Sequence, residues 1–330
     1  MPRFRIPPYR FEAMYVTLAE TIDWGLAAYG VPDQWRETRG QGVRVAVLDT
    51  GITAEHPDLT VAIDDARDFT RSPAGPVDRV GHGTHVAGVI AARRNETGIV
   101  GVAPECRLLV AKVLGDDGAG DDASVAAGID WAVAAGADVL NMSFGAPQPS
   151  AAITAAIQRA IEKGRFVVCA AGNEGRPNSV NYPARLGAAV AVGAVDRNGR
   201  VCSFSSRGDE VDVCAPGQDV LSTYLGGGYA KLSGTSMAAP FVTGVVALVV
   251  AKHRAVGGAT PVRTQAQLIE HLQRTVTDAG PAGKDPNYGY GLIDPGSVLA
   301  AVDPPATTSP LRIGPVSVNG VRGNFVFVEG

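Results

Sequence analysis

The sequence predicts an α/β fold: a doubly wound, mostly parallel sheet with helices on both faces, plus a C-terminal β-hairpin appendage. Three observations carry this expectation. The β-rich runs at 43–48, 108–113, 139–144, 166–171 and 189–195 are apolar almost throughout, as strands buried on both faces are. Stretches with helix-start and Gly-stop signals alternate with them. The chain has 330 residues, 45% of them hydrophobic and 19% charged, enough for one large core with appendages.

Taken in order, residues 1–20 show no clear period and read as a separate N-terminal extension. Within it Ile6-Pro7-Pro8-Tyr9 is extended, because each proline restricts the residue before it. The main domain spans 21–303. Residues 21–39 suit a short helix with Pro32 in its first turn. The first strand stops at Asp49-Thr50-Gly51, and Gly81-His82-Gly83-Thr84-His85-Val86-Ala87-Gly88 runs into a helix. Asp121-Asp122 caps a helix that ends at Gly136. Ser150 caps another, carrying Ile153, Ile157 and Ile161, that stops at Gly164. Residues 211–214 read as a further strand, and 264–274 as a late helix. The glycine turn 226–228 and a strand-like 229–232 lead to Gly234-Thr235-Ser236-Met237-Ala238-Ala239-Pro240. An apolar run at 241–251 follows and reads as a buried helix. Ser236 falls in its first turn, and so does Pro240, where an amide has no helical partner to lose. Beyond Pro304-Pro305 lies the tail 304–330, where Asn319-Gly320 between β-rich arms signals a hairpin.

Several function classes are excluded. A net charge of −4 gives no basic footprint for nucleic acid. None of Cys106, Cys169, Cys202 and Cys214 forms a close pair of the zinc-site kind. Gly226-Gly227-Gly228 lacks the Gly-Lys-Ser/Thr of a phosphate loop, and His82/His85 lack the i, i+4 spacing and glutamate of a zinc protease. His85 reads as a packed histidine, His253 and His271 as surface ones. Pro7-Pro8 interrupts any signal-peptide core, and 241–251 is too short to span a bilayer. The expectation is a soluble cytoplasmic protein with no membrane partner.

Ligands of open parallel sheets bind beyond the carboxyl ends of the strands. Asp49 and Asn173 follow strands there, and His82 and Ser236 start helices on the same rim. Alone, Ser236 reads as a helix N-cap. Together the four residues supply the hydroxyl, base, orienting carboxylate and amide donor that acyl transfer requires.

Asp49-Thr50-Gly51-Ile52, the His82 motif, Ala170-Ala171-Gly172-Asn173-Glu174-Gly175 and the Ser236 motif resemble, in that order, the motifs of the subtilisin-like serine proteases, over about 24–295. The resemblance implies a serine endopeptidase acting on proteins or peptides. Asp49, His82 and Ser236 would form its triad, and Asn173 would serve the oxyanion hole. Gly118-Ala119-Gly120 and Ser143-Phe144-Gly145 would be the edges that pair with substrate. Ser143-Phe144-Gly145 and Ala170-Ala171-Gly172 would wall an open pocket favouring large apolar residues before the cut. Asp116, Asp117, Asp121 and Asp122 would favour basic residues further upstream. A structural calcium ion is implied by His56-Pro57-Asp58-Leu59 and by residues 95–104. Its ligands would be Asp58, the Asn95 side chain and the carbonyls of Arg93, Thr97 and Ile99. Phe241 departs from the family's frequent histidine. The short extension with Ile6-Pro7-Pro8-Tyr9, together with Cys169, resembles the intracellular subtilisin branch. The extension is expected to inhibit in cis and the tail to offer an oligomer contact. A silent peptide-binding scaffold and a small-molecule amidase or esterase are the competing readings.

Overall fold

The computed structural model describes residues 4–15, 19–257, 262–302, 314–318 and 321–325. The extension contributes β1 (Phe4–Arg5) and β2 (Arg10–Tyr15). The body follows with α1 (Trp24–Ala28), α2 (Val31–Gln34), β3 (Arg44–Asp49), β4 (Ile63–Asp68), α3 (His82–Ala91), β5 (Arg107–Lys112) and β6 (Ala119–Gly120). Next come α4 (Asp122–Ala134), β7 (Val139–Met142), α5 (Ala151–Glu162), β8 (Phe166–Ala170), β9 (Val190–Val195) and β10 (Val213–Pro216). The chain continues through β11 (Val220–Thr223), β12 (Tyr229–Ser233), α6 (Thr235–Ala255), α7 (Gln265–Thr275) and α8 (Pro295–Ala300) to β13 (Gly314–Val318) and β14 (Val321–Phe325).

A seven-stranded sheet in the order β10-β9-β8-β7-β3-β5-β4 is parallel at every step. Its two faces bury separate cores. Along β3, Val45 and Val47 join Val86, Ile90, Val245 and Leu248 from α3 and α6. Ala46 and Leu48 point the other way, onto Ile129 of α4 and Ile153 and Ile157 of α5. Strict alternation between two apolar faces explains why the strands read as continuous hydrophobic runs. Asp121 and Ser150 cap α4 and α5 as expected, each accepting the amide of the third residue of its helix. The arms β13 and β14 pair antiparallel, with Val318 opposite Val321; the Asn319-Gly320 turn lies outside the described residues.

Three features differ from expectation. The edge strand β4 reads Ile-Asp-Asp-Ala-Arg-Asp, and its charges concealed it; charged, half-exposed edges guard a sheet against further pairing. Helix α6 runs to 21 residues, long and apolar enough by composition to cross a membrane, but it is buried in the protein. Pro240 is the sixth residue of that helix rather than a first-turn residue. Its missing N–H would have served the Ser236 carbonyl, and the Ser143 hydroxyl donates there instead, at 3.1 Å.

Candidate active site

Asp49 ends β3, and its backbone carbonyl accepts the amides of Val113 and Leu114. Its Oδ1 accepts the Thr50 amide at 2.7 Å and lies 2.8 Å from His82 Nδ1. His82 opens α3 behind Gly81, whose φ of 92° is left-handed, a geometry that favours glycine. An aspartate that sequence reasoning missed joins these two elements. Asp78 Oδ1 accepts the amides of Val80 and Gly81, each at 2.9 Å, and the Thr50 hydroxyl at 2.9 Å. Its Oδ2 accepts the Thr84 amide and hydroxyl. Thr50 Oγ1 in turn receives the Gly83 amide at 2.9 Å. Lys112, also missed, is fully buried, donates to the Thr50 carbonyl and pairs with Asp116 at 2.9 Å. The only sequence signals were a lysine in an apolar strand and a carboxylate shortly before the histidine motif.

Ser236 is the second residue of α6 and carries no capping bond, the N-cap being Gly234. Its hydroxyl donates to the Ser143 carbonyl at 3.0 Å. His82 Nε2 and Asp49 Oδ2 are buried without a hydrogen-bond partner among the described residues. Asn173 follows β8. Its Oδ1 accepts the Thr235 amide and hydroxyl at 2.9 and 2.8 Å, which aims its NH₂ group outward. Asp49 thus meets His82, and Asn173 meets Thr235 beside Ser236, while His85 is turned to the β11 and β12 carbonyls. His85 Nε2 sits 3.0 and 3.1 Å from the carbonyls of Val220 and Ala230. Burial, with His82 nearby, pushes its pKa down to about 3. His271 is buried as well, its Nε2 2.8 Å from the Val298 carbonyl, contrary to the surface placement expected. All four cysteines are free and buried, and burial pushes each thiol up.

The extension lies across this rim. Phe4 and Arg5 pair antiparallel with Gly120 and Ala119, and Ile6 donates to the Gly118 carbonyl at 3.3 Å. On the other side Arg5 and Gly145 exchange two 3.0 Å hydrogen bonds. Both edges expected to pair with substrate are therefore filled by the chain itself. Asn173 Nδ2 donates to the Pro8 carbonyl at 2.9 Å, and the Tyr9 ring stands 5.3 Å from that of His82. Past Tyr9, β2 adds to β12 as the outer strand of a three-stranded antiparallel sheet. His82 and Ser236 have no exposed surface beneath this cover.

A cavity of about 660 Å³ beside Pro7 is lined by Gly145, Glu174, Asn181 and Arg185. Among the expected wall residues only Gly145 faces it. Phe144 is buried edge-on to Phe4, with centroids 5.9 Å apart, and Ala170 and Ala171 are fully buried. Gly172 sits behind Glu174 and Asn181, where a Cβ would meet both side chains. The wall is polar because Glu174 accepts from Asn181 Nδ2 and Ser206 Oγ. The acidic residues flanking Gly118 are engaged locally. Asp116 is held by Lys112 and Ser72, Asp117 accepts the Ala119 amide, Asp121 caps α4, and Asp122 accepts the Ser150 hydroxyl.

At the expected cation site Asp58 is fully buried. Its oxygens accept Asn95 Nδ2 and the Ile99 amide, each at 2.9 Å, so only neutral donors reach it there. The amides of Glu20 and Thr21 take the carbonyls of Glu96 and Gly98 but leave those of Arg93, Thr97 and Ile99 unused in this way. The Arg93 guanidinium turns to the carbonyls of Pro104, Val61 and Cys106.

Comparison with known proteins agrees with this geometry. The subtilase family profile matches residues 40–291. Subtilisin BL of Lederbergia lenta is 44% identical over 277 residues, covering 84% of this chain and 98% of that protein. M-protease of Shouchella clausii is 43% identical over 284 residues, 86% of this chain and 71% of that protein. An intracellular serine protease of Paenibacillus polymyxa is 42% identical over 282 residues, 82% of this chain and 85% of that protein. The chain therefore belongs to the subtilase family and is a subtilisin-like serine endopeptidase.

Proposed function

We propose that Ser236 is the nucleophile of this endopeptidase, His82 its general base and then acid, and Asp49 the carboxylate that orients the imidazole. The observation that carries this reading is the 2.8 Å contact between Asp49 Oδ1 and His82 Nδ1, on the rim where Asn173 already holds a peptide carbonyl. A proton on Nδ1 directed at Asp49 leaves Nε2 free to accept one. The Ser236 hydroxyl turns from the Ser143 carbonyl to Nε2, and Oγ attacks the scissile carbonyl as its proton passes to His82. The resulting oxyanion is stabilised by Asn173 Nδ2–H and the Ser236 amide. His82 then gives the proton to the leaving amine. It takes another from the water that hydrolyses the acyl-enzyme, and returns it to Ser236 Oγ. A fluorophosphonate probe should label the protein beginning near Leu18 and not its Ser236→Ala form, and casein should be cleaved. Labelling of both proteins alike would sink this assignment.

Residues 4–15 act as an inhibitor in cis on this reading. They fill both substrate edges, and the register that sets Arg5 on Gly145 brings Pro7 opposite Ser143. Proline has no N–H to offer that carbonyl, which takes the Ser236 hydroxyl in its place. The carbonyl reaching Asn173 belongs to the next residue, Pro8. Covalent attachment supplies a high effective concentration. A protein beginning near Leu18 should be active at once and the full-length protein after a lag; equal initial rates would refute inhibition.

A buried carboxylate met only by neutral donors, beside carbonyls free to turn inward, fits a hard cation. Asp58, the Asn95 side chain and the carbonyls of Arg93, Thr97 and Ile99 would hold calcium, which ties the loop after α3 to the body. Substrate choice before the cut is broad and favours large residues, for which the cavity beside Pro7 has room. Likeness to the Paenibacillus polymyxa intracellular protease supports a cytoplasmic location.

A further inference from the structure

The filled active site shows more of the molecule than the edges upstream of the cut. Strand β2 leaves the rim at Arg10, opposite Ser233, and runs antiparallel along β12 to Tyr15, opposite Tyr229. A one-residue bulge between Leu232 and Lys231 interrupts the ladder but does not end it. Strand β12 is the middle strand of its sheet only because β2 is there. Without β2 it is an edge whose backbone groups lead directly away from Ser236, three residues beyond its end. One ring contact belongs to this path. Phe11 lies 5.6 Å from Tyr224, centroid to centroid, and is about half exposed. Tyr224 is itself anchored, because its hydroxyl donates to the Val80 carbonyl at 3.1 Å and its ring lies over Gly81.

We propose that the outer edge of β12 is a docking strip for the substrate chain downstream of the cut, from its third to about its seventh residue, with Tyr224 as a seat for an aromatic third residue. The inference rests on the reading of residues 4–15 as occupants of the active site. Their register supplies the count. Pro8 offers its carbonyl to Asn173, so Tyr9 stands first downstream, Arg10 second, Phe11 third and Tyr15 seventh. The ligand class is an extended, unfolded peptide segment, since only a chain with free backbone N–H and C=O groups can add to a sheet edge. Folded proteins whose cut site is followed at once by a turn would be poor substrates.

The test uses the full-length protein carrying Phe11→Pro and Ala13→Pro, because proline is poorly tolerated within a strand, so β2 is weakened and the strip is freed. Quenched peptides share one upstream half and carry two, four or seven downstream residues. The kcat/KM should rise about tenfold from two to seven, the worth of one or two net backbone hydrogen bonds. A value flat with length overturns the strip. Phe should beat Gly at the third downstream position, and Tyr224→Leu should erase that ratio whatever it does to the absolute rate; an unchanged ratio overturns the seat. If the proline variant cleaves nothing, its Ser236→Ala form is titrated with labelled Arg-Phe-Glu-Ala-Met-Tyr by anisotropy. Binding at least tenfold tighter than to the parent Ser236→Ala protein is expected, and equal binding overturns the proposal. Failure of the inhibition reading shows elsewhere, in equal initial rates for the full-length protein and the one beginning near Leu18.

Discussion

Replacing Ser143 by Ala should destabilise the protein through a residue it does not adjoin in sequence. Ser143 Oγ donates to the Ser236 carbonyl at 3.1 Å and accepts Asn141 Nδ2 at 3.0 Å, all of it buried. Pro240 cannot supply the helical N–H that the Ser236 carbonyl lacks. Ser143→Ala therefore leaves a buried acceptor and a buried donor unserved, at a cost of about 2–4 kcal/mol. Pro240→Ala restores an N–H to the helix while trimming a buried ring. In the Ser143→Ala background it should recover about 1 kcal/mol more than it does beside an intact Ser143, because only there is the carbonyl in need. The assay is a double-mutant cycle by urea unfolding, run in Ser236→Ala protein so that self-digestion does not intrude. Additivity of the two changes within about 0.3 kcal/mol, the level seen for independent sites, would refute the compensation argument.

Other outcomes follow from the same geometry. Asn173→Ala should lower kcat by roughly 10²–10³ with little change in KM, a magnitude taken over from subtilisin itself rather than worked from this site; an effect confined to KM would remove Asn173 from the oxyanion hole. Chelation of calcium, or Asp58→Asn, should lower Tm in a scanning experiment, and an unchanged Tm in both would leave the Asp58 site without an ion. Mild peroxide should reduce activity through Met237, buried beside Ser236, by making its thioether polar; the same sensitivity in Met237→Ala would implicate another residue. For pH, His85 binds its proton at about 3 in the fold and at about 6.5 when unfolded, so the unfolded chain holds more protons between those values. Stability from this residue is complete above that window and declines as pH falls through it, by at most about 1.4 kcal/mol per unit. Asp212, raised to about 6 by burial, works in the opposite sense below that pH, so urea midpoints should show the histidine slope most clearly between about 6 and 6.5. A midpoint that rises on acidification through that interval would contradict the assignment.

How legible the molecule was depends on whether a residue's role is local. The β3, β5, β7, β8 and β9 strands were readable because burial on both faces leaves few polar positions to confuse them. The caps Asp121 and Ser150 announce themselves within three residues of what they bind. Strand β4 was hidden because an edge exposed to water carries the composition of a loop. The four rim residues were found through strand ends and helix starts, which topology brings together. Asp78, Lys112 and Ser143 were not found as supports because the contacts that make them so, to Thr50 for the first two and to Ser236 for the third, span tens of residues and carry no period or spacing. Pro240 misled for the complementary reason: proline marks helix starts locally, and only the distant Ser143 hydroxyl makes it tolerable further in. What faces the cavity beside Pro7 was not legible, because a glycine or alanine in a motif says nothing about what stands in front of it. In this chain that is Glu174 and Asn181.

The two ladders that hold the extension have a kinetic consequence. Strands β1 and β2 are anchored on opposite sides of the rim, the first between Gly120 and Gly145 and the second along β12. Severing the chain beyond Tyr15 breaks one bond and none of these contacts. The severed arm becomes a bound peptide whose local concentration no longer exceeds that of the solution. Cleavage and the appearance of activity are then separate events, joined by a dissociation step. Activity would emerge more completely on dilution, and a concentrated sample fully cut on a gel would stay quiet.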